Sequence, residues 1–464
     1  MTGLLRKKIV TERPAAEQLA RTLSWPHLVA LGVGAIVGTG ILTLIGVGAD
    51  RAGPAVMLSF LIAGAICACA ALCYAEMATM IPASGSAYTY SYVVIGEVVA
   101  WVIGWSLILE YSLVVSTVAV GWSGYAAPLL KGLIGLPDAL SKSPELGGVL
   151  NLPAVFIIGV VALVLCAGTK ESATLNAVLV VVKIVALAVF VAVALPTFDG
   201  ANLHPFMPYG FPKALAADGV ERGVMAAAAI IFFAFYGFDA ISTAAEETKN
   251  PGRDLAIGIV GSMVACVIIY VLVAVTAVGA VSFSRFAGSA EPLALILREL
   301  GHPKVALFLA ASAVIALPTV LLAFLFGQSR IFFTMARDGL LPKSLATVSS
   351  RGAPVRITLI TAAIVAVLAG LLPLGEIAAL ANAGTLAAFV AVCSCVLVMR
   401  RSAPEAPRTF RTPAAWFIGP AGILGCLYLF LSLPLRTELY FLAWNAFGLL
   451  VYFAYARPRA LVTG

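Results

Sequence analysis

Gly32-Val33-Gly34-Ala35-Ile36-Val37-Gly38-Thr39-Gly40 sits in the middle of an apolar stretch that runs from about residue 27 to residue 49. Its glycines are spaced G-x-G-x-x-x-G, no strand precedes them, and the surround is apolar. A dinucleotide-binding loop is therefore excluded. Two readings remain. Gly34-x-x-x-Gly38 can serve close helix packing. Alternatively, the helix unwinds here and free N–H groups at a half-helix N-terminus bind a carboxylate. A second stretch favours unwinding. Phe232-Phe233-Ala234-Phe235-Tyr236-Gly237-Phe238-Asp239 again places a glycine at membrane depth, among aromatics and two residues before an acid.

The solvent around these stretches is set by composition. The 464 residues are 62% hydrophobic and 11% charged, with a mean hydropathy of +1.05. Soluble domains carry about 25% charged residues, so the chain is too poor in polar surface to fold in water. The formal charge of +7 comes from Lys and Arg lying between apolar segments, which is a topology signal and argues against a nucleic-acid partner. Eight Cys and three scattered His show no converging ligand spacing. The Cys are read as buried free thiols, with no metal and no cofactor expected.

A membrane span needs about 20 apolar residues. Twelve stretches qualify: 27–49, 54–79, 97–126, 152–168, 173–195, 223–248, 254–281, 303–333, 355–372, 376–399, 414–434 and 438–456. The expected fold is all-α and integral to the membrane. The two glycine-broken spans are the first and the sixth, which open successive groups of five. An odd number of helices inverts the second group, and broken helices in matching positions of inverted halves point to a midplane substrate site. Residues 1–25 read as a cytoplasmic tail, 26–400 as a ten-helix core, and 401–464 as two peripheral helices with a cytoplasmic end.

Orientation follows from basic residues. With the N-terminus inside, nineteen Lys and Arg fall on the cytoplasmic side, including Arg13, Lys170, Arg351 and Arg408, and nine fall outside, including Lys131 and Lys142. Both termini are expected in the cytoplasm.

Three ionisable residues are singled out by their depth inside spans. Lys183 is about ten residues from one end of its span and thirteen from the other. That is roughly 15–20 Å of helix, against a side-chain reach of about 6 Å. Snorkelling fails, so a functional charge or a buried ion pair, Glu110 being one candidate partner, is expected. Glu110 needs a partner or a proton. Asp239 follows the second break, whose unpaired carbonyls suit a substrate ammonium. Glu76, Glu246 and Glu247 fall near span ends and are expected in solvated or gate-loop roles.

Taken in order, five segments resemble the amino acid–polyamine–cation transporter superfamily, most closely its bacterial cationic amino acid transporter branch. They are residues 34–41, 76–88, 104–111, 237–251 and 327–342, and the resemblance spans nearly the whole chain. It implies a LeuT-type fold, a 5+5 inverted repeat with discontinuous helices 1 and 6 among twelve, in a bacterial inner membrane. It implies that backbone at Ile36, Val37, Gly38, Thr39, Gly40 and Ile41 receives an amino acid's carboxylate. Phe233, Ala234, Phe235 and Gly237 would form the amine side, with the Phe233 ring as inner gate. Lys183 matches a lysine whose ammonium stands in for a sodium ion, where it would tie the fifth span to the broken first span and the eighth; this implies proton coupling, with Glu110 and Asp239 as further proton-coupling candidates. Bulky apolar residues in the eighth span (Leu317, Leu321, Phe324, Phe326), with no acid to meet a guanidinium, favour neutral amino acids. An exchanger or facilitator without obligatory proton coupling, or a membrane amino-acid sensor, is the competing reading. An enzyme is not expected, because no His, Asp or Cys cluster marks an interface.

Overall fold

The structure is a computed structural model that describes residues 6–8, 21–167, 169–217, 219–289, 291–347, 349, 354–372 and 374–460. Most of the expected N-terminal tail, Arg13, Arg351 and the side chain of Lys170 lie outside the described residues.

The described residues fold almost wholly into helix. In chain order these are α1 (Trp25–Ile36), α2 (Thr39–Leu42), α3 (Leu44–Ala52), α4 (Val56–Met80), α5 (Ser86–Val94), α6 (Glu97–Ile134), α7 (Leu152–Ala167) and α8 (Thr169–Ala194). A two-stranded antiparallel hairpin follows, β1 (Ala214–Leu215) and β2 (Glu221–Arg222). Then come α9 (Val224–Ile231), α10 (Phe238–Thr243), α11 (Pro251–Ala280), α12 (Phe283–Phe286), α13 (Pro292–Glu299), α14 (Pro303–Ala316), α15 (Pro318–Arg337), α16 (Val355–Leu371), α17 (Leu374–Ser402), α18 (Ala415–Phe430) and α19 (Leu435–Val451).

Local chemistry sets several boundaries. α11, α13, α14 and α15 each begin on a proline, which lacks the N–H that a first helical turn leaves unpaired. α6 ends at Gly135 in the left-handed region, the usual glycine cap. Among the described residues, nine helical segments are long and apolar enough to cross a membrane, and α7, α16 and α18 are shorter apolar helices. Leu163, Ile268, Leu307, Phe417 and Leu424 stand exposed on the outside of the bundle, as lipid-facing side chains do.

The stretch expected as one helix over 303–333 is two. α14 and α15 meet at Leu317–Pro318, because proline cannot donate to the preceding turn. The third helix runs eight residues past its expected end, to Ile134. From Leu44 to Met80 the chain is one helical run, turned at Gly53, whose φ is +64°.

Inside the bundle, α1 packs on α11 and α8, α4 packs on α11, and α6 lies between α15 and α17. Of the solvated or gate-loop roles expected for Glu76, Glu246 and Glu247, the solvated one fails for Glu76 and Glu247: both are buried. Glu76 accepts from Arg400 at 2.7 Å, from Arg408 at 3.0 Å and from the Thr412 N–H at 2.8 Å. Glu247 accepts from Arg330 at 3.1 Å, Glu246 from Arg337 at 3.0 Å, and Asp338 from Lys8 at 2.5 Å. Helix ends pack together here, and these charges removed from water are held in pairs.

Candidate functional site

Both glycine-rich stretches break their helices. α1 stops at Ile36 and α2 begins at Thr39, with Val37 extended and Gly38 between them. α9 stops at Ile231, a 3-10 turn covers Phe232–Ala234, and α10 begins at Phe238 after Gly237. Gly237 has φ +128°, a conformation open to glycine at little cost. The breaks also cross closely. A methyl on Gly237 would lie 2.9 Å from the Ala35 carbonyl carbon, and one on Gly40 would lie 2.4 Å from the Ala234 Cα. The residues expected to form the substrate site, Ile36–Ile41 and Phe233–Gly237, are thus brought together main chain to main chain.

An α-helix leaves its last four carbonyls without intrahelical donors. In α1 two of those carbonyls, Gly34 and Ile36, and the Val37 carbonyl just beyond its end are served by other helices. Tyr270 of α11 donates to the Ile36 oxygen at 2.6 Å. Lys183 of α8, 3% exposed, donates from Nζ to the Gly34 oxygen at 3.0 Å, to the Val37 oxygen and to Thr319 Oγ1 at 2.5 Å. Thr319 also donates to the Gly34 oxygen at 3.1 Å. Lys183 therefore sits at the negative end of a helix dipole, which favours a cation. A Lys183–Glu110 ion pair is not what forms: the lysine faces α1 and α15, while Glu110 packs on Gly384 of α17.

Asp239 accepts from the Tyr111 hydroxyl of α6 and from the Gly237 N–H at 3.0 Å, so it secures the second break. Glu110 is fully buried, and among the described residues neither of its oxygens has a hydrogen-bond partner. Thr385 lies beside it, with its hydroxyl donated to the Ala381 oxygen. Glu110 and Asp239 are electrostatic neighbours.

The walls near the breaks are apolar. Val320 and Leu317 of the α14–α15 corner face Gly38, the nearer at 2.6 Å from where its Cβ would stand. Phe324 meets Tyr111 and Tyr236 edge-on at 5.1 and 6.0 Å between centroids. The Phe233 ring meets Tyr236 at 4.9 Å. Among the described residues no three His, Cys, Asp or Glu side chains converge to hold a metal, and all eight thiols are free.

Sequence reasoning missed Thr319, Tyr270 and Tyr111. A threonine or tyrosine in an apolar helix is common, and only the fold shows which carbonyl or carboxylate each one meets. Pro318 was the available signal for Thr319, since a proline in mid-stretch marks a bend.

The amino acid permease family profile matches residues 23–454. The chain is 44% identical to the branched-chain amino acid permease BcaP of Bacillus subtilis, over 99% of this chain and 98% of the relative. It is 41% identical to the methylthioribose transporter of the same organism, over the full length of both. It is 37% identical to the vacuolar cationic amino acid transporter 4 of Arabidopsis thaliana, over 87% of this chain and 68% of the relative. On a match that runs from before the first helix to the last, the chain belongs to the amino acid permease family of the amino acid–polyamine–cation superfamily.

Proposed function

We propose that this protein imports neutral, apolar amino acids across a bacterial inner membrane by alternating access, driven by protons. In this reading twelve helices cross the bilayer, residues 26–400 form a LeuT-type 5+5 core, 401–464 supply two peripheral helices, and both termini are cytoplasmic. The substrate carboxylate meets backbone at Ile36–Ile41 and its ammonium meets the Phe233–Gly237 break. Its side chain lies against Leu317, Val320 and Phe324. The apolar wall suits a substrate like that named for the branched-chain relative. The methylthioribose relative makes a thiosugar the competitor to test.

The observation that carries the proposal is the Lys183 ammonium against the carbonyl end of α1. A protonated Lys183 offers three N–H groups and has three acceptors: the Gly34 and Val37 oxygens and Thr319. On losing its proton it keeps two donors and no charge, so its hold on α1 weakens and the inner half-helix is freed to move. Lower pH thus favours the tied state and higher pH the released one.

Uptake by purified protein in sodium-free proteoliposomes, with an imposed pH gradient, tests this. Wild type should accumulate leucine or valine above equilibrium, with excess arginine or methylthioribose failing to compete. Lys183→Ala should exchange substrate without accumulating it. Equal accumulation by wild type and variant removes Lys183 from coupling, and accumulation without a pH gradient removes the proton.

A further inference from the structure

α8 meets α1 at a second point. Asn176 lies seven residues before Lys183, two helical turns, so both side chains leave the same face of α8. Its Nδ2 donates to the Ala30 oxygen at 3.1 Å, four residues before Gly34 and seven before Val37. The oxygens of Ala30, Gly34 and Val37 therefore form one stripe along α1, gripped by two teeth from α8. Asn176 is 1% exposed, and among the described residues its Oδ1 has no partner. A buried amide whose oxygen has no partner is costly, which is more than packing requires. Gly34 makes room for it: a methyl there would stand 2.8 Å from Oδ1 and 3.0 Å from Nδ2.

The teeth differ in chemistry. Lys183 carries a titratable charge, and the titratable neighbour facing it from α11 is Cys266. Asn176 has no proton to lose, and its bond is the same in either charge state of the lysine. The Ala30 oxygen also lies within the helical body, four residues before the N–H of Gly34, so Asn176 adds to a bonded carbonyl and is not needed to cap one.

We propose that Asn176 is a positioning residue, a charge-independent clasp that sets how readily α1 leaves α8, whereas Lys183 sets the pH at which it does so. The division of labour rests on the coupling role proposed above for Lys183. The clasp itself is separable from that role.

Hydrogen–deuterium exchange and transport in proteoliposomes test it together. Asn176→Leu keeps the volume and removes the bond. Exchange in peptides covering 25–36 should rise about fivefold, the equivalent of a net hydrogen bond of about 1 kcal/mol. Peptides from α14 should be unchanged. Downhill exchange of labelled substrate should speed up, the accumulation ratio should fall, and the midpoint of the pH profile should stay at the wild-type value. Gly34→Ala, which crowds the same amide from the other side, should act in the same direction. The double variant should fall short of the sum, as coupled neighbours do. Unchanged exchange at 25–36, a rise spread evenly over the protein, or a displaced pH midpoint each overturn the clasp. If Lys183→Ala retains the wild-type pH profile, the coupling proposal fails while the exchange result still decides the role of Asn176.

Discussion

Glu110 and Asp239 are both buried acids at the α6–α10 boundary, but their surroundings differ and so do the expected effects of neutralising them. Asp239 is held by Tyr111 and by the Gly237 N–H. Asp239→Asn swaps one oxygen for a donor that faces an N–H or a hydroxyl, and should cost about 1–3 kcal/mol as an unsatisfied contact. Thermal unfolding in detergent, together with a slower uptake rate, checks this. Among the described residues Glu110 has no such partners, so Glu110→Gln should cost less thermal stability than Asp239→Asn while altering the pH response of uptake. A flat effect on pH response with a large loss of stability would reverse the two roles. All three intramembrane charges were legible in the sequence, because depth alone made them costly. The tie of Lys183 to the broken first span and to the eighth was expected and forms, but the individual atoms that the three residues meet were not legible. Lys183 meets backbone oxygens, and no sequence pattern announces which carbonyls a fold leaves open.

At the scale of the element, the breaks were readable because each combines glycine with a polar residue at membrane depth. The bend between α14 and α15 was hidden in a continuous apolar stretch, where hydropathy outweighed a single proline. It matters because it sets Leu317 and Val320 against Gly38. Gly38→Val would collide with Val320, and Gly237→Val would meet Ala35 while forcing φ +128° on a branched residue. Strain of that kind costs about 1–3 kcal/mol. Each variant should therefore still reach the membrane as a monodisperse, folded protein, and uptake should fall below a tenth of wild type. Normal uptake by either would mean that its break does not form the site.

For the whole molecule, the nineteen-to-nine split of basic residues predicts a topology. In a Cys-less background, a cysteine near Arg408 should react in intact cells only with permeant reagents, and one near Lys142 should react with impermeant ones. The reverse pattern inverts the orientation. Position near a span end suggested solvation for Glu76 and Glu247, which fails because a residue there can still be enclosed by neighbouring helices. Glu76 joins α4 to Arg400 of α17 and to Arg408 and Thr412 in the connection beyond it. Glu76→Ala would leave Arg408, 1% exposed, without its carboxylate. A loss of about 3–5 kcal/mol is expected for breaking one side of a buried pair, read as a lowered unfolding temperature, with residual protein transporting at normal affinity.

The contact between Lys183 and α1 is one-sided in its dependence on side-chain identity. α8 contributes a specific side chain, whereas α1 contributes main chain, which every residue possesses. A substitution at Val37 that preserves size and backbone geometry leaves the acceptor in place, while any change at position 183 removes the ammonium and its reach. Genetic information for the lock is thus held almost entirely by one codon. In a saturation-mutagenesis map, position 183 should show intolerance to every replacement, whereas position 37 should accept apolar residues of similar bulk. The α1 side of this contact can then be remodelled by drift and selection without first dismantling the contact itself.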